Sequence, residues 1–114
     1  MWKPLDDSVL RASGGLTTEV VEIGPVPEGL TWELLHAAVE DQTTGFTSVR
    51  IGTARANSFN PLEEQLIGVA GELYNNNEPI IVPEGYFLRA QFIGTTSGDK
   101  LALYANGRQH PRGG

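Results

Sequence analysis

Val26-Pro27-Glu28-Gly29 recurs letter for letter as Val82-Pro83-Glu84-Gly85, 56 positions further along the chain. The residues after each copy also match. The first leads into Leu30-Thr31-Trp32-Glu33-Leu34-Leu35-His36, and the second into Tyr86-Phe87-Leu88-Arg89-Ala90-Gln91-Phe92. Each segment is bulky or apolar on one parity: Leu30, Trp32 and Leu34 in the first, Tyr86, Leu88, Ala90 and Phe92 in the second. That alternation is the mark of a strand with one buried face. Each copy then reaches a polar turn, Thr43-Thr44-Gly45 or Thr95-Thr96-Ser97-Gly98-Asp99, and a second apolar run, residues 46–51 or 101–105. The chain therefore holds two copies of one unit: Pro-Gly turn, strand, polar turn, strand. Proline ends a ladder because it has no N–H to give, and glycine takes the positive φ that a tight turn requires.

Working outward, residues 18–23 read as a β-branched strand closed by Gly24-Pro25. Residues 30–42 carry two signals. Local propensity favours a helix, with Leu34, Leu35, Ala38 and Val39 as its stripe, whereas the repeat predicts a strand. The repeat is taken to prevail, and it aligns His36 with Phe92 on or beside the packed face. Residues 46–53 form a strand with Val49, Ile51 and Thr53 on one side and Arg50 and Gly52 on the other. Asn57-Ser58-Phe59-Asn60-Pro61 reads as a turn. Asn60-Pro61-Leu62-Glu63-Glu64 has the form of a helix start, and Leu62, Leu66, Val69 and Leu73 keep helical spacing. A short helical turn into a strand at residues 65–69 is the alternative. Residues 79–82 form a strand, and residues 86–93 with 100–105 a hairpin that ends at Asn106-Gly107.

At 114 residues the chain is one domain. The expected fold is mainly β, a β-sandwich or jelly roll of about seven short strands with an extended N-terminal arm. Residues 1–17 are the arm, 18–107 the sandwich domain and 108–114 a flexible tail. The formal charge of −6 argues against a nucleic-acid partner. No run reaches the length of a membrane span. The absence of cysteine removes thiolate chemistry and thiolate metal sites. The histidines, His36 and His110, stand in no metal-binding pattern. Glu33, Glu40 and Asp41, or Glu63 and Glu64, could form carboxylate pairs, but adjacent acids are more commonly a solvated face. No Gly-x-Ser-x-Gly elbow or phosphate loop occurs. The expectation is a protein that is not an enzyme and has no catalytic residue, cofactor or metal. Candidate interface residues are Trp2, Leu5, Val9 and Leu10 in the arm and Phe59 in an irregular stretch.

One wider pattern is present over residues 20–107: Val26-Pro27-Glu28-Gly29, Trp32, Thr43-Thr44, then Ile81-Val82-Pro83-Glu84-Gly85-Tyr86 and Gly98-Asp99-Lys100-Leu101. It resembles small β-sandwich proteins of tailed bacteriophage virions. The resemblance implies a virion structural role, made in the host cytoplasm: a capsid cement or decoration subunit, or a neck, tail or fibre-adaptor subunit. It implies the major capsid protein or another virion protein as partner, and a homo-oligomer, dimer or trimer. It carries over no functional residue. A carbohydrate-binding module is the reading from another class, and it requires several aromatic rings on one exposed face.

Overall fold

The computed structural model describes residues 3–56 and 58–111. Among them are nine strands and no helix: β1 (Lys3–Ala12), β2 (Thr18–Ile23), β3 (Leu30–Asp41), β4 (Phe46–Arg55), β5 (Ser58–Gly68), β6 (Tyr74–Asn75), β7 (Ile80–Val82), β8 (Phe87–Ile93) and β9 (Lys100–Pro111). One sheet has the order β1-β9-β3, with β6 and β7 both against the far side of β3. The other has the order β2-β8-β4-β5. Every neighbouring pair is antiparallel. The chain passes back and forth between the sheets, and this interleaved order is that of a jelly roll.

The duplicated turns mark an internal two-fold relation. Gly29 and Gly85 have φ of 80° and 79°, and an added Cβ would meet nothing within 4 Å at either position. Backbone angle alone therefore calls for glycine here. The same bond closes each turn: Leu30 N–H donates to the Pro27 carbonyl at 3.1 Å, and Tyr86 N–H to the Pro83 carbonyl at 3.1 Å. The two turns also hold each other, through Val26 N–H to the Tyr86 carbonyl (2.9 Å) and Gly85 N–H to the Val26 carbonyl (3.0 Å). After them, β3 pairs with β9 and β4 with β8. Each unit thus places its two strands in different sheets and pairs them with the strands of its sister. The expected hairpin of residues 86–93 and 100–105 is corrected accordingly. β8 and β9 face each other across the core, because the apolar parity of each needs covering more than its backbone needs that particular neighbour.

The core lies between the sheets and follows the predicted parity. Trp32, Leu34, Val49, Ile51, Leu88, Ala90 and Phe92 are buried, as are Leu101 and Leu103. The match fails at one point. A bulge between Leu34 and His36 shifts the register of β3 against β9. Beyond it the inward residues are Ala37, Val39 and Asp41, while Leu35 and His36 are exposed. His36 is therefore not on the packed face. One extra residue in a strand reverses every side chain after it.

Three other expectations are revised. Residues 3–12, read as an arm, form an edge strand paired to β9 from Lys3↔Gln109 to Ala12↔Lys100. Residues 108–111, read as flexible tail, continue β9 opposite the start of β3. There Trp32 Nε1–H donates to Gln109 Oε1 at 3.3 Å, and Arg108 pairs with Glu33 at 2.7 Å. Residues 58–68 are a strand, with no turn at 58–61 and no helix start at Asn60. Pro61 is tolerated because β5 is an edge strand and the register shifts beside it, between Ile51 and Gly52.

Gly107 does not end a strand. It lets β9 pass β3 at close range, since a Cβ there would lie 2.0 Å from the Glu33 carbonyl oxygen and 2.9 Å from Leu34 Cα. Gly107→Ala is expected to lower stability by at least about 1 kcal/mol in a denaturant titration, because backbone and not a flexible side chain must move.

Candidate functional site

Two regions hold chemistry worth weighing: the end of the sandwich where the threonine turns meet, and its two long edges. At the turn end three carboxyl groups are buried, Glu19, Asp41 and Asp99. Asp41 Oδ1 accepts the N–H groups of Thr43 (3.0 Å) and Thr44 (3.1 Å). Asp99 Oδ2 accepts Thr96 N–H at 2.9 Å and the Thr44 hydroxyl. Thr44 thus joins the two acids. Asp41 Oδ2 is buried without a hydrogen-bond donor among the described residues. Burial, and then a hydrogen bond to Asp99 that needs a proton, push the Asp41 carboxyl up to about 6. For Asp99 burial acts upward, but the bonds from Asp41, Thr44 and Thr96 outweigh it and hold its carboxyl below the usual value. A single proton held on Asp41 would serve both carboxyls.

Glu19 is different. Its burial is outweighed by Gly14 N–H, the Arg11 guanidinium, the Ser13 hydroxyl and Leu16 N–H, so its carboxyl stays below the ordinary value. Ser13 extends the network, with its hydroxyl 2.8 Å from that of Thr95 and its N–H donating to the Asp99 carbonyl at 2.7 Å. The three loops at this end are locked to one another, and each acid is turned into the protein. The arrangement is a structural clasp.

The other acids named as possible pairs are also engaged within the fold. Glu33 binds Arg108, Glu64 lies 3.7 Å from Arg50, and Tyr104 donates to Glu40 at 2.5 Å. Glu63 accepts Asn77 N–H at 2.8 Å and Asn77 Nδ2–H at 2.9 Å, fastening β5 to the segment before β7. No cluster of three His, Asp or Glu able to hold a metal occurs among the described residues. A depression of about 350 Å³ lies along β5 and is lined by Arg50, Pro61, Leu62, Glu63 and Glu64.

The edges are more distinctive. Leu62, Leu66, Val69 and Leu73 lie on β5 and the segment just after it, and they are 50%, 62%, 54% and 51% exposed. Sequence reading missed them as a surface, since their spacing suits a helix with a buried stripe. The interface candidates from the sequence do not converge. Leu5 and Val9 are half-buried and pack against the core from β1, and Leu10, on the same strand, is exposed on the outer face. Phe59 lies on β5 in the other sheet, with the Arg89 guanidinium 5.5 Å above its ring. Trp2 lies outside the described residues.

No protein-family model, curated protein or solved structure matches this chain. The functional reading therefore stands on the residues themselves. Trp32, Phe46 and Phe92 are buried, and Phe59, Tyr74, Tyr86, Phe87 and Tyr104 are half-buried. The described exposed surface is richest in aliphatic side chains along the β5 edge, which suits contact with another protein.

Proposed function

We propose that this chain is a non-enzymatic structural protein of a tailed-phage virion, which binds and reinforces the capsid as a cement or decoration subunit. The observation that carries the reading is the group of Leu62 and Leu66 on the β5 edge and Val69 and Leu73 in the turn segment after it, half or more exposed. Exposed aliphatic side chains of this kind give an interaction surface a dry centre. The Pro-Glu-Gly repeat pattern, which resembles phage virion β-sandwiches, supplies the kind of partner. The formal charge of −6 suits a basic patch on a shell. In this mechanism the subunit adds buried area where shell proteins adjoin, so that separating them also requires breaking its contacts. A neck, tail or fibre-adaptor position in the same virion is the second reading and differs in copy number.

The test begins with purified particles. Quantitative protein gels are expected to show this chain at a copy number comparable to the major shell protein. A handful of copies would move it to the neck or tail, and none would reject the virion role. Leu62→Glu with Leu66→Glu, added back to particles lacking the chain, is expected to bind about tenfold more weakly or worse. Each leucine is worth roughly 1 kcal/mol of further burial, and a buried unpaired carboxylate adds its own cost.

A further inference from the structure

The fold has four sheet edges, and three of them are blocked. β5 has a proline and a register shift in its middle, and Glu63-Glu64 at its centre. β2 has its Val20 carbonyl occupied by the Arg11 guanidinium. On the third, β6 and β7 are two and three residues long. β1 is ten residues long and paired on one side only, and eight of its residues are exposed. A long one-sided edge strand is a template for another strand.

We infer that β1 is the interface of a symmetric dimer, with β1 pairing antiparallel to β1 of a second copy of this chain. The occupant is decided by charge and register. A two-fold axis normal to the sheet keeps each residue opposite one of the same face. With the axis at Val9, Asp7 stands opposite the second copy's Arg11, twice over, and Val9 meets Val9 at the centre. With the axis at Asp7, two carboxylates meet. At Ser8, Arg11 meets Leu5, and at Leu10, Arg11 meets Val9. The Val9 register alone among these pairs opposite charges, and an axis at Leu5, which sets Lys3 opposite Asp7, pairs only residues 3–7 of β1 where the Val9 axis pairs residues 6–12.

The same register accounts for Leu10. It is 56% exposed in the single chain, and its diagonal neighbour across the axis is the second copy's Leu10. Arg11 has capacity for the new bond. It is 45% exposed; one nitrogen donates to the Val20 carbonyl, and the contact of another with Glu19 is long, at 3.5 Å. A guanidinium also has five N–H donors. β1 touches β2 at this side of the sandwich, whereas β5 is fastened to the opposite side through Glu63 and Asn77. The dimer therefore leaves the β5 leucines free, and the two sheets containing β1 become one continuous sheet.

The dimer rests on the same view of the chain as a binding protein, yet it is tested apart from any shell. Sedimentation equilibrium of the full chain is expected to show mass rising from one chain to two with concentration. Hydrogen exchange of the outward β1 amides is expected to slow over the same range. Asp7→Lys sets a lysine opposite Arg11 and is expected to weaken the dimer tenfold or more. Leu10→Lys is the second variant and is expected to act in the same direction, and an unchanged thermal midpoint of the dilute chain shows that each still folds. A chain that stays monomeric throughout overturns the dimer, as does one that dimerises equally well with both substitutions. A monomer that still binds particles overturns the dimer and leaves the shell-binding reading intact.

Discussion

Phe92→Ala is expected to lower folding stability by about 3–5 kcal/mol, the range for removing a large ring from a packed core. Phe92 is fully buried at the end of β8 near the threonine turns, between Glu19 of β2 and Val49 of β4. Its ring meets Phe46 edge-on, with centroids 5.4 Å apart and planes at 89°. Phe46 in turn meets Tyr74 edge-on at 5.6 Å. The three rings tie β8 to β4 and across to β6. The space left by Phe92 has little means of closing. Phe46 is also held against β5, where a Cβ on Gly68 would lie 2.2 Å from its ring. The strands around it are fixed by ladders on both flanks. A urea titration should show a lower midpoint with an unchanged slope, since the surface exposed on unfolding is nearly the same. A loss below about 1 kcal/mol would mean that the core repacks and that the ring stack does not join the sheets.

Phe92 also marks how far the sequence reaches. Its place on the inner face follows from the alternation of Leu88, Ala90 and Phe92, and from the repeat that sets Trp32 and Leu34 in the same role. The bounds of β2, residues 18–23, follow from β-branched residues before a Gly-Pro pair. Local signals of this kind survive because strand and turn chemistry act over a few residues. Which strands become neighbours is not local. The two units give the same pattern whether each folds as a hairpin or trades strands with the other, and only the cost of uncovered apolar faces decides. β1 carries Asp6, Asp7 and Ser8 in its middle and β5 has Pro61-Leu62-Glu63-Glu64, so neither shows clean alternation. In β5 this fits an edge strand in which charge and proline deter unwanted pairing. The leucine spacing in β5 and the following segment imitates a helix. Leu62 and Leu66 instead lie on an exposed edge strand, and that information lies in the pairing with β4. The buried acids had a faint signal: each threonine turn has an aspartate nearby, Asp41 before the first and Asp99 after the second. Aspartate near a turn often accepts its backbone N–H groups. Nothing in the spacing tells that the two turns meet in space.

The meeting of those turns gives the other large expected effect. Asp41→Asn should raise stability at pH 8 and remove most of the change in stability between about pH 4 and pH 7. The Asp41 carboxyl titrates near 3.8 when unfolded and is pushed up to about 6 in the fold. The native state therefore binds more protons than the unfolded state between those values, and stability falls as pH rises through them. The contribution is fully present below about 3.8 and is lost above about 6. Asp99 and Glu19 are shifted the opposite way, so their contributions are lost only as pH falls below the ordinary carboxylate range. The slope between the two limits belongs to Asp41. Its size is about 2 kcal/mol, once screening by water at this loop end is allowed for. Asparagine supplies what the protonated acid supplies. Its Oδ1 accepts Thr43 and Thr44 N–H, and its Nδ2–H donates to Asp99 with no proton to lose. Thermal or urea unfolding at closely spaced pH values separates the cases. A flattened profile with a gain at pH 8 means that the shared proton links the turns. A slope unchanged by the substitution means that Asp41 is ionised in the fold, and that its buried oxygen is satisfied in some way other than through Asp99.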